Sequence, residues 1–564
     1  MKISKIRVEN FRSIKDLNLD VPQICCLVGP NNAGKSNILL AIQRVLGRDW
    51  VSVSSFDELD VYAHDNNSDV TIQISFEPGI PFVKFKGASP VAIRTLAFHY
   101  ARYKVGEDKG KRRLEQKCFD GRGETPMVLA KAPRKGERHE YQPVVNIPPD
   151  VREAIPLIYI GTKRTLKDQL PAARYSMLRP LFEDINRDLE DPKHTVKVKQ
   201  QDGSELNVPR LEEFRVLMEA AVKLLRTESF EALENSIKKN ALQQLGFDPA
   251  ADGDKLDLFF SPFDTMDFYK ALDLRVREGA FSVSATELGE GVQNALVLAI
   301  LKVFEERRKQ GAILLIEEPE MFLHPQMQRS LYKTLREIAK TNQVIYTTHS
   351  PHFVSIPDYK ELVIVRRGAD GTRVSCSDLP TNAKLKEKLI KELDPERNEL
   401  FFASRLLLVE GDTEKLALPE YAKRMNLDLD RAGATIVEVG GKRNLQAFAQ
   451  IATSFQIPTG IVYDDDSSDI NDKNEEAAFN TALDGLARED GSVSVWHFSK
   501  RYEDHLRNAI GEQKYQELCQ KYSKVGKPTR ARLIATETDL PIPGPVPEIL
   551  AWLANGPLSK APPN

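Results

Sequence analysis

Apolar and polar positions alternate from Ile3 to Val8 and again through Leu17-Asn18-Leu19, whereas Ile24-Cys25-Cys26-Leu27-Val28 is apolar without a break. Alternation marks a strand with one buried face, and an unbroken run bounded by turns marks a strand buried on both. The first forty residues therefore predict strand, turn, strand, glycine-rich loop and helix. Cys25 and Cys26 are neighbours on the buried strand, point to opposite faces, and read as small core residues. Val70 to Phe76 alternates as a further strand. From Arg102 to Arg138 the chain becomes basic and turn-rich around Lys111-Arg112-Arg113 and Arg134-Lys135-Gly136. A solvated hairpin and a contact to a phosphate backbone both fit that composition.

Residues 176–275 read as helical at first and then polar, with heptad-like spacing from Leu211 to Leu225 and no chemistry-bearing cluster. An inserted helical arm used for packing or dimerisation is the simplest account. Strand and helix patterns alternate again from Gly311 to about residue 385. Charged Lys384 to Glu399 reads as a linker-like helix, and Leu406-Leu407-Leu408-Val409 opens a new strand, which places the main boundary near residue 400. The Pro-rich stretches Pro541 to Pro547 and Pro562-Pro563 are expected to be loosely structured.

The 564 residues leave room for about three to four folding units. Lys and Arg number 79 against 82 Asp and Glu, a net charge of -3, which excludes a histone-like polycation but not a local basic surface. Five cysteines without paired spacing argue against a disulfide framework or a zinc cluster. No apolar stretch approaches the ~18–20 residues that span a bilayer. Met1 to Ile6 alternates like a strand and lacks a signal peptide's apolar core. A cytoplasmic protein without membrane association is expected.

Gly29-Pro30-Asn31-Asn32-Ala33-Gly34-Lys35-Ser36 fits the phosphate-binding pattern G-x-x-x-x-G-K-[ST], placed between the buried strand and an amphipathic helix. Gly29, Asn32 and Gly34 let backbone N–H groups converge on phosphates at a helix N-terminus. Lys35 reaches the β- and γ-phosphates, and Ser36 can hold Mg²⁺ through its hydroxyl. Ile313 to Ile316 forms an apolar strand ending in Glu317-Glu318, where Glu317 would orient Mg²⁺ and Glu318 the attacking water. One helix later, Val344 to Thr348 delivers His349 to the same sheet edge as a γ-phosphate sensor. Leu288-Gly289-Glu290-Gly291-Val292-Gln293 adds a glycine-rich helix start.

With that order of motifs the chain resembles the ABC-type ATPases, in the branch of RecF-like and SMC-like heads, and Asn10-Phe11-Arg12-Ser13-Ile14 resembles the opening of that branch. The resemblance implies that Gly289, Gly291 and Gln293 complete the nucleotide site of a second protomer, hence a homodimer. Glu317 stands where an Asp is commoner.

The strand Leu406 to Val409 ends in Glu410-Gly411, with Glu414 one turn into the next helix, so both glutamates face the strand's C-terminal edge. Gly460 to Tyr463 is a second strand, ending in Asp464-Asp465-Asp466, with Asp464 and Asp466 on one face. Open α/β sheets place ligands at that edge. Four clustered carboxylates repel one another and suit Mg²⁺ or Mn²⁺. Two such ions could activate a water and stabilise the leaving oxygen of a phosphodiester.

These residues resemble a Toprim domain over roughly residues 403–540: Glu410 matches its glutamate, Asp464 and Asp466 its D-x-D element, and Gly440-Gly441-Lys442 its glycine turn. Glu503 in Tyr502-Glu503-Asp504-His505 is a further candidate ligand. Lys527 in Gly526-Lys527-Pro528-Thr529-Arg530 is a candidate for neutralising phosphorane charge. An ABC-type ATPase followed by a Toprim domain resembles the OLD (overcoming lysogenization defect) family of nucleases. The fold expected is thus α/β: an ABC-type P-loop ATPase in two parts, 1–175 and 279–399, a helical dimerisation arm at 176–278, and a Rossmann-like Toprim domain at 400–564.

That resemblance implies an ATP-regulated, Mg²⁺-dependent (or Mn²⁺-dependent) endonuclease or nickase acting on double-stranded DNA, in bacterial defence against phage. Relatives include the nuclease component of Gabija systems, which works beside a UvrD-like helicase. The expected partners are DNA, a second copy of the chain, with a tetramer left open, and a helicase or other defence protein. The alternative is a non-catalytic RecF-like DNA-binding ATPase of DNA repair, which has no use for the acidic cluster. A topoisomerase would need a nucleophilic tyrosine in a separate DNA-gate domain.

Overall fold

The computed structural model describes residues 1–47, 51–65, 67–131, 139–155, 157–162, 178–199, 204–244, 247–251, 265–270, 272–278, 281–307, 311–380, 396–466 and 473–556. The chain divides into two compact units, one made of Met1–Thr162 with Gln310–Asn564, the other of Lys163–Lys309.

An eleven-stranded mixed sheet runs through the first unit, in the order Arg112–Phe119, Val91–Arg102, Val70–Phe82, Lys2–Phe11, Ile14–Asp20, Gly371–Cys376, Leu362–Gly368, Ile24–Val28, Gln343–Thr348, Ile313–Ile316 and Leu157–Ile160. The half containing the N-terminus is antiparallel, and its strands alternate: Ile3, Ile6 and Val8 are buried with polar residues between them. From Leu362–Gly368 to Leu157–Ile160 the strands are parallel. There the buried runs are continuous, as sequences covered on both faces require. Val28 pairs with Thr348, and Ile316 with Tyr346, so three strands end together and release Gly29, Glu317 and His349 at one edge.

The basic hairpin is present as the antiparallel pair Val91–Arg102 and Arg112–Phe119. Arg112 is buried against Glu58 and lies over the Tyr100 ring, and Arg113 pairs with Glu115 over Tyr103. These arginines have internal partners; Arg134 to Gly136 lies outside the described residues.

A separate four-stranded, all-parallel sheet follows, in the order Ala434–Glu438, Arg405–Val409, Thr459–Asp464, Val493–Phe498. The first strand of this module pairs with the second on one side and the third on the other, so the chain reverses its winding between Arg405–Val409 and Thr459–Asp464. That crevice is the topological switch point where ligands bind in such sheets. Leu407, Val409 and Val462 pack against Leu418, Tyr421, Ile549, Leu550 and Leu553 of the covering helices. Gly460 permits the approach of Leu407 and Trp552, whose atoms lie 2.8 and 2.9 Å from where a Cβ would stand.

One expectation changes. Pro541 to Pro547 is ordered rather than loose: Gly544 O meets His505, Arg424 reaches Leu540 O, and helix Val546–Asn555 begins there with Val546 fully buried. Most of the linker-like helix expected at Lys384 to Glu399 lies outside the described residues. Residues 381–395 and Pro562-Pro563 lie outside the described residues, but Arg397–Phe402 is a 3-10 turn with Asn398, Leu400 and Phe401 buried.

The second unit holds helices Leu178–Glu190, Arg210–Leu225, Glu228–Gln244 and Glu290–Arg307. It also holds two hairpins that the helical reading did not anticipate, Thr195–Lys199 with Glu205–Pro209 and Arg275–Glu278 with Phe281–Ser284. Leu217, Leu224 and Leu225 on the heptad-like helix are exposed. No helix among the described residues is long and apolar enough to cross a membrane.

Candidate functional site

The loop Gly29–Gly34 leaves strand Ile24–Val28 and enters helix Lys35–Leu46 under tight steric control. A Cβ on Gly29 would stand 2.0 Å from Val365 O. Gly34 has φ +106° and would bring a Cβ to 2.1 Å from Thr372 Oγ1 and 2.8 Å from Ser13 Oγ. Thr372 donates to Ala33 O at 2.9 Å, its hydroxyl lies 2.7 Å from that of Ser13, and Asn37 donates to Ser13 at 2.8 Å. Thr372 from a strand and Ser13 from the turn between the first two strands thus fix the loop. Asn32 takes φ 63° at its tip, and Ser36 is exposed at the helix start.

Lys35 is buried and donates to Gly29 O at 2.8 Å and Pro30 O at 3.0 Å. Burial lowers its pKa to about 8, with Glu318 and Glu320 acting the other way. Glu317 is buried beside Tyr159, whose hydroxyl pKa is raised by burial and by that carboxylate. Glu318 has φ 43°, and its N–H donates to Thr347. Its carboxylate lies 3.3 Å from His349 Nε2. Burial, followed by the Lys35 charge, lowers the His349 pKa, against the pull of Glu318. Lys35, Glu318 and His349 are therefore brought to one edge, with Glu317 beside them.

Glu320, which the sequence reading passed over although it lies in the same acidic run, organises this edge. One of its oxygens accepts from Thr348 Oγ1 at 2.6 Å, His349 N at 2.7 Å and Ser350 N at 3.2 Å. Gly289, Gly291 and Gln293 belong to the second unit. Gly289 precedes helix Glu290–Arg307, Gly291 lies in its first turn, and Gln293 donates back to Thr286 O and Leu288 O. The donor set fits a nucleoside triphosphate with Mg²⁺: a cradle too narrow for side chains, a buried lysine, and carboxylates at the strand ends.

At the switch point of the smaller sheet, Glu410 ends strand Arg405–Val409, Glu414 sits in the first turn of helix Asp412–Arg424, and Asp464 ends strand Thr459–Asp464. Asp464 N donates to Glu410 Oε1 at 2.8 Å, and Tyr502 N donates to Asp464 Oδ1 at 3.0 Å. Burial pushes the Glu410 pKa up to about 7, opposed by the Asp464 N–H and Lys442. It pushes Glu414 to about 7, helped by Glu410 and Glu503, and Asp464 to about 8, helped by Glu414 and Glu410. Glu503 pairs with Lys527 at 3.0 Å, and Asp466 faces Arg501 at 3.4 Å.

Among the described residues no three His, Cys, Asp or Glu side chains already converge as ligands of one ion. Glu410 and Asp464 each commit one oxygen to a backbone N–H. The donor set of hard oxygens, partly desolvated and each ionising against its neighbours, fits divalent cations. Lys442, quoted above only as part of the glycine turn, is buried here: its Nζ donates to Asp464 O at 2.5 Å and pairs with Glu476 at 2.8 Å. Glu476 carried no motif signal.

Known families match in the same two places. Residues 1–120 and 149–354 match the model described as AAA ATPase domain. Residues 401–466 match the model described as overcoming lysogenization defect protein-like, TOPRIM domain. The OLD nuclease of Thermus scotoductus is 29% identical over 483 residues, covering 84% of this chain and 84% of that protein. The Old nuclease of Escherichia phage P2 is 25% identical over 504 residues, covering 83% and 77%. The endonuclease GajA of Bacillus cereus is 24% identical over 460 residues, covering 78% and 71%.

Proposed function

The chain belongs to the OLD family of AAA ATPase-domain proteins with a Toprim module, and on that premise we propose that it is an ATP-regulated DNA endonuclease or nickase dependent on Mg²⁺ or Mn²⁺. The observation that carries the reading is the set Glu410, Glu414 and Asp464, held at a topological switch point with carboxyl pKa values raised to about 7–8. Such a set pays an electrostatic cost that bound cations remove. Bound there, two divalent ions would supply a nucleophilic water and neutralise charge on the phosphate and the leaving sugar oxygen.

Glu410, Glu414, Asp464 and Asp466 are the proposed ligands, with Glu503 assisting. Glu503 also holds Lys527 within reach of the same edge, where its ammonium can neutralise charge developing on the phosphate. At the other site, Lys35 would exchange the carbonyls of Gly29 and Pro30 for the β- and γ-phosphates, and Ser36 and Glu317 would hold Mg²⁺. Glu318 would orient the attacking water, and His349, in ion-pair range of Glu318, would register the γ-phosphate. Gly289, Gly291 and Gln293 would serve the nucleotide site of a second protomer, so a homodimer is part of the proposal. Kinship with GajA supports a role in defence against phage beside a partner such as a helicase.

Calorimetric titration of Mn²⁺ into the full-length protein tests the metal site. Binding that is lost in Asp464→Asn and kept in Lys35→Ala is expected. Equal binding by wild type and Asp464→Asn would overturn the assignment.

A further inference from the structure

Two adjacent residues outside both sites connect them. Asn398 is buried, and its amide donates at 2.9 Å to both Pro351 O and Val354 O, directly after the His349-Ser350 segment that Glu320 clamps. Arg397 reaches the other way. Its Nε donates to Glu438 O at 3.0 Å and its guanidinium pairs with the Glu438 carboxylate at 3.0 Å. Glu438 ends the second strand of the Toprim sheet and accepts from Gly440 N.

The turn that follows touches both strand ends that carry the proposed metal ligands. Gly441, at φ +109°, donates its N–H to Glu410 O at 2.9 Å, and Lys442 donates to Asp464 O. Buried Leu400 and Phe401 anchor the same 3-10 turn, with Phe401 edge-on to Phe455 of the Toprim module at 5.5 Å. The buried bonds of this series resist breaking, because each one broken strands a buried polar group.

We propose that Arg397–Asn398 is the joint through which the nucleotide site positions the metal-bearing strand ends. Movement of the 349–354 segment with nucleotide state would draw Asn398, hence Arg397, Glu438 and the glycine turn against which Glu410 and Asp464 rest. Arg397 and Asn398 are positioning residues and touch neither ligand. The inference deepens the nuclease reading and rests on it for the chemistry at each end.

The test is hydrogen–deuterium exchange of the full-length protein with and without adenylyl imidodiphosphate, in wild type and Asn398→Ala, alongside nucleotide affinity and plasmid cleavage. In wild type, nucleotide should change exchange of the Glu438–Lys442 backbone by about fivefold or more, the lower edge of typical coupling between sites. Asn398→Ala should bind nucleotide with wild-type affinity yet lose that change, along with any difference in cleavage rate between the two conditions. Arg397→Lys keeps the charge without the two-point grip. It should weaken the response in the same way, and it carries the test if Asn398→Ala does not fold. No exchange response in wild type, or an undiminished one in folded variants, would overturn the joint even where cleavage persists. Wild-type protein that shows the response but never cuts would sink the nuclease reading and leave the joint standing.

Discussion

Replacing Glu414 by Gln should stabilise the metal-free protein at alkaline pH while weakening its metal response. Glu414 is 7% exposed, and burial, with Glu410 and Glu503 adding repulsion, raises its carboxyl from 4.5 to about 7. A carboxyl with a raised folded-state pKa contributes stability that is fully present below its unfolded pKa and is lost as pH rises through the folded one. The loss for Glu414 therefore runs from about pH 4.5 to about pH 7 and is complete above that. At ~1.4 kcal/mol per unit the full shift corresponds to about 3 kcal/mol. Part of that is shared with Glu410 and Asp464, which compete for the same protons, so about 1–3 kcal/mol is expected from Gln, which stays neutral. For a domain of this size that is roughly 3–10 °C in the melting transition. Thermal unfolding in EDTA at pH 5 and pH 8 is the assay. Glu414→Gln should melt close to wild type at pH 5 and clearly above it at pH 8, and Mn²⁺ should raise its transition less. A variant that melts at or below wild type at pH 8 would refute the repulsion argument.

Other expectations follow from single contacts. Lys35→Ala should lose ATP binding, measured by a fluorescent nucleotide, while Mn²⁺ still raises the melting transition of the Toprim part. Gly34→Ala must place a Cβ within 2.1 Å of Thr372 Oγ1 at φ +106°. A loss of about 1–3 kcal/mol from strain, and of ATP affinity with it, should appear in denaturant melts and nucleotide titrations. Gly460→Ala pushes against Leu407 and Trp552 and should cost about 1–3 kcal/mol of overpacking in the Toprim core, visible in a denaturant melt, with ATP affinity untouched.

What the sequence disclosed, and what it hid, follows from how local the determinants are. Gly29–Ser36, Glu317-Glu318, Glu410–Glu414 and Asp464–Asp466 are short runs confined to one strand end and its turn, so spacing alone brings the proposed site residues to one edge. The α/β class was legible for the same reason: buried parallel strands such as Ile24–Val28 and Ile313–Ile316 read as unbroken apolar runs. Partners supplied from far along the chain were not legible. Thr372 supports Ala33 from 339 residues away, and Asn398 and Glu476 have no motif around them. Glu320 lay in view, yet its role depends on the register that sets it against Thr348 and His349. The hairpins of the second unit were missed because Thr195–Lys199 and Arg275–Glu278 are five and four residues long, too short for their alternation to stand out from the polar sequence around them. Pro541 to Pro547 misled in the other direction, since its composition suggests a loose tail while Val546 anchors a buried helix start.

The most direct test of the account is cleavage of supercoiled plasmid by the purified full-length protein in Mg²⁺ or Mn²⁺, with Glu410→Ala beside it. Nicked or linear DNA from wild type, none from Glu410→Ala, and no covalent protein–DNA adduct are the predicted results. Equal cleavage by Glu410→Ala would contradict the assignment of chemistry to the Toprim carboxylates. No product from wild type under any metal or nucleotide condition would contradict the nuclease reading itself and favour a DNA-bound ATPase without cutting activity.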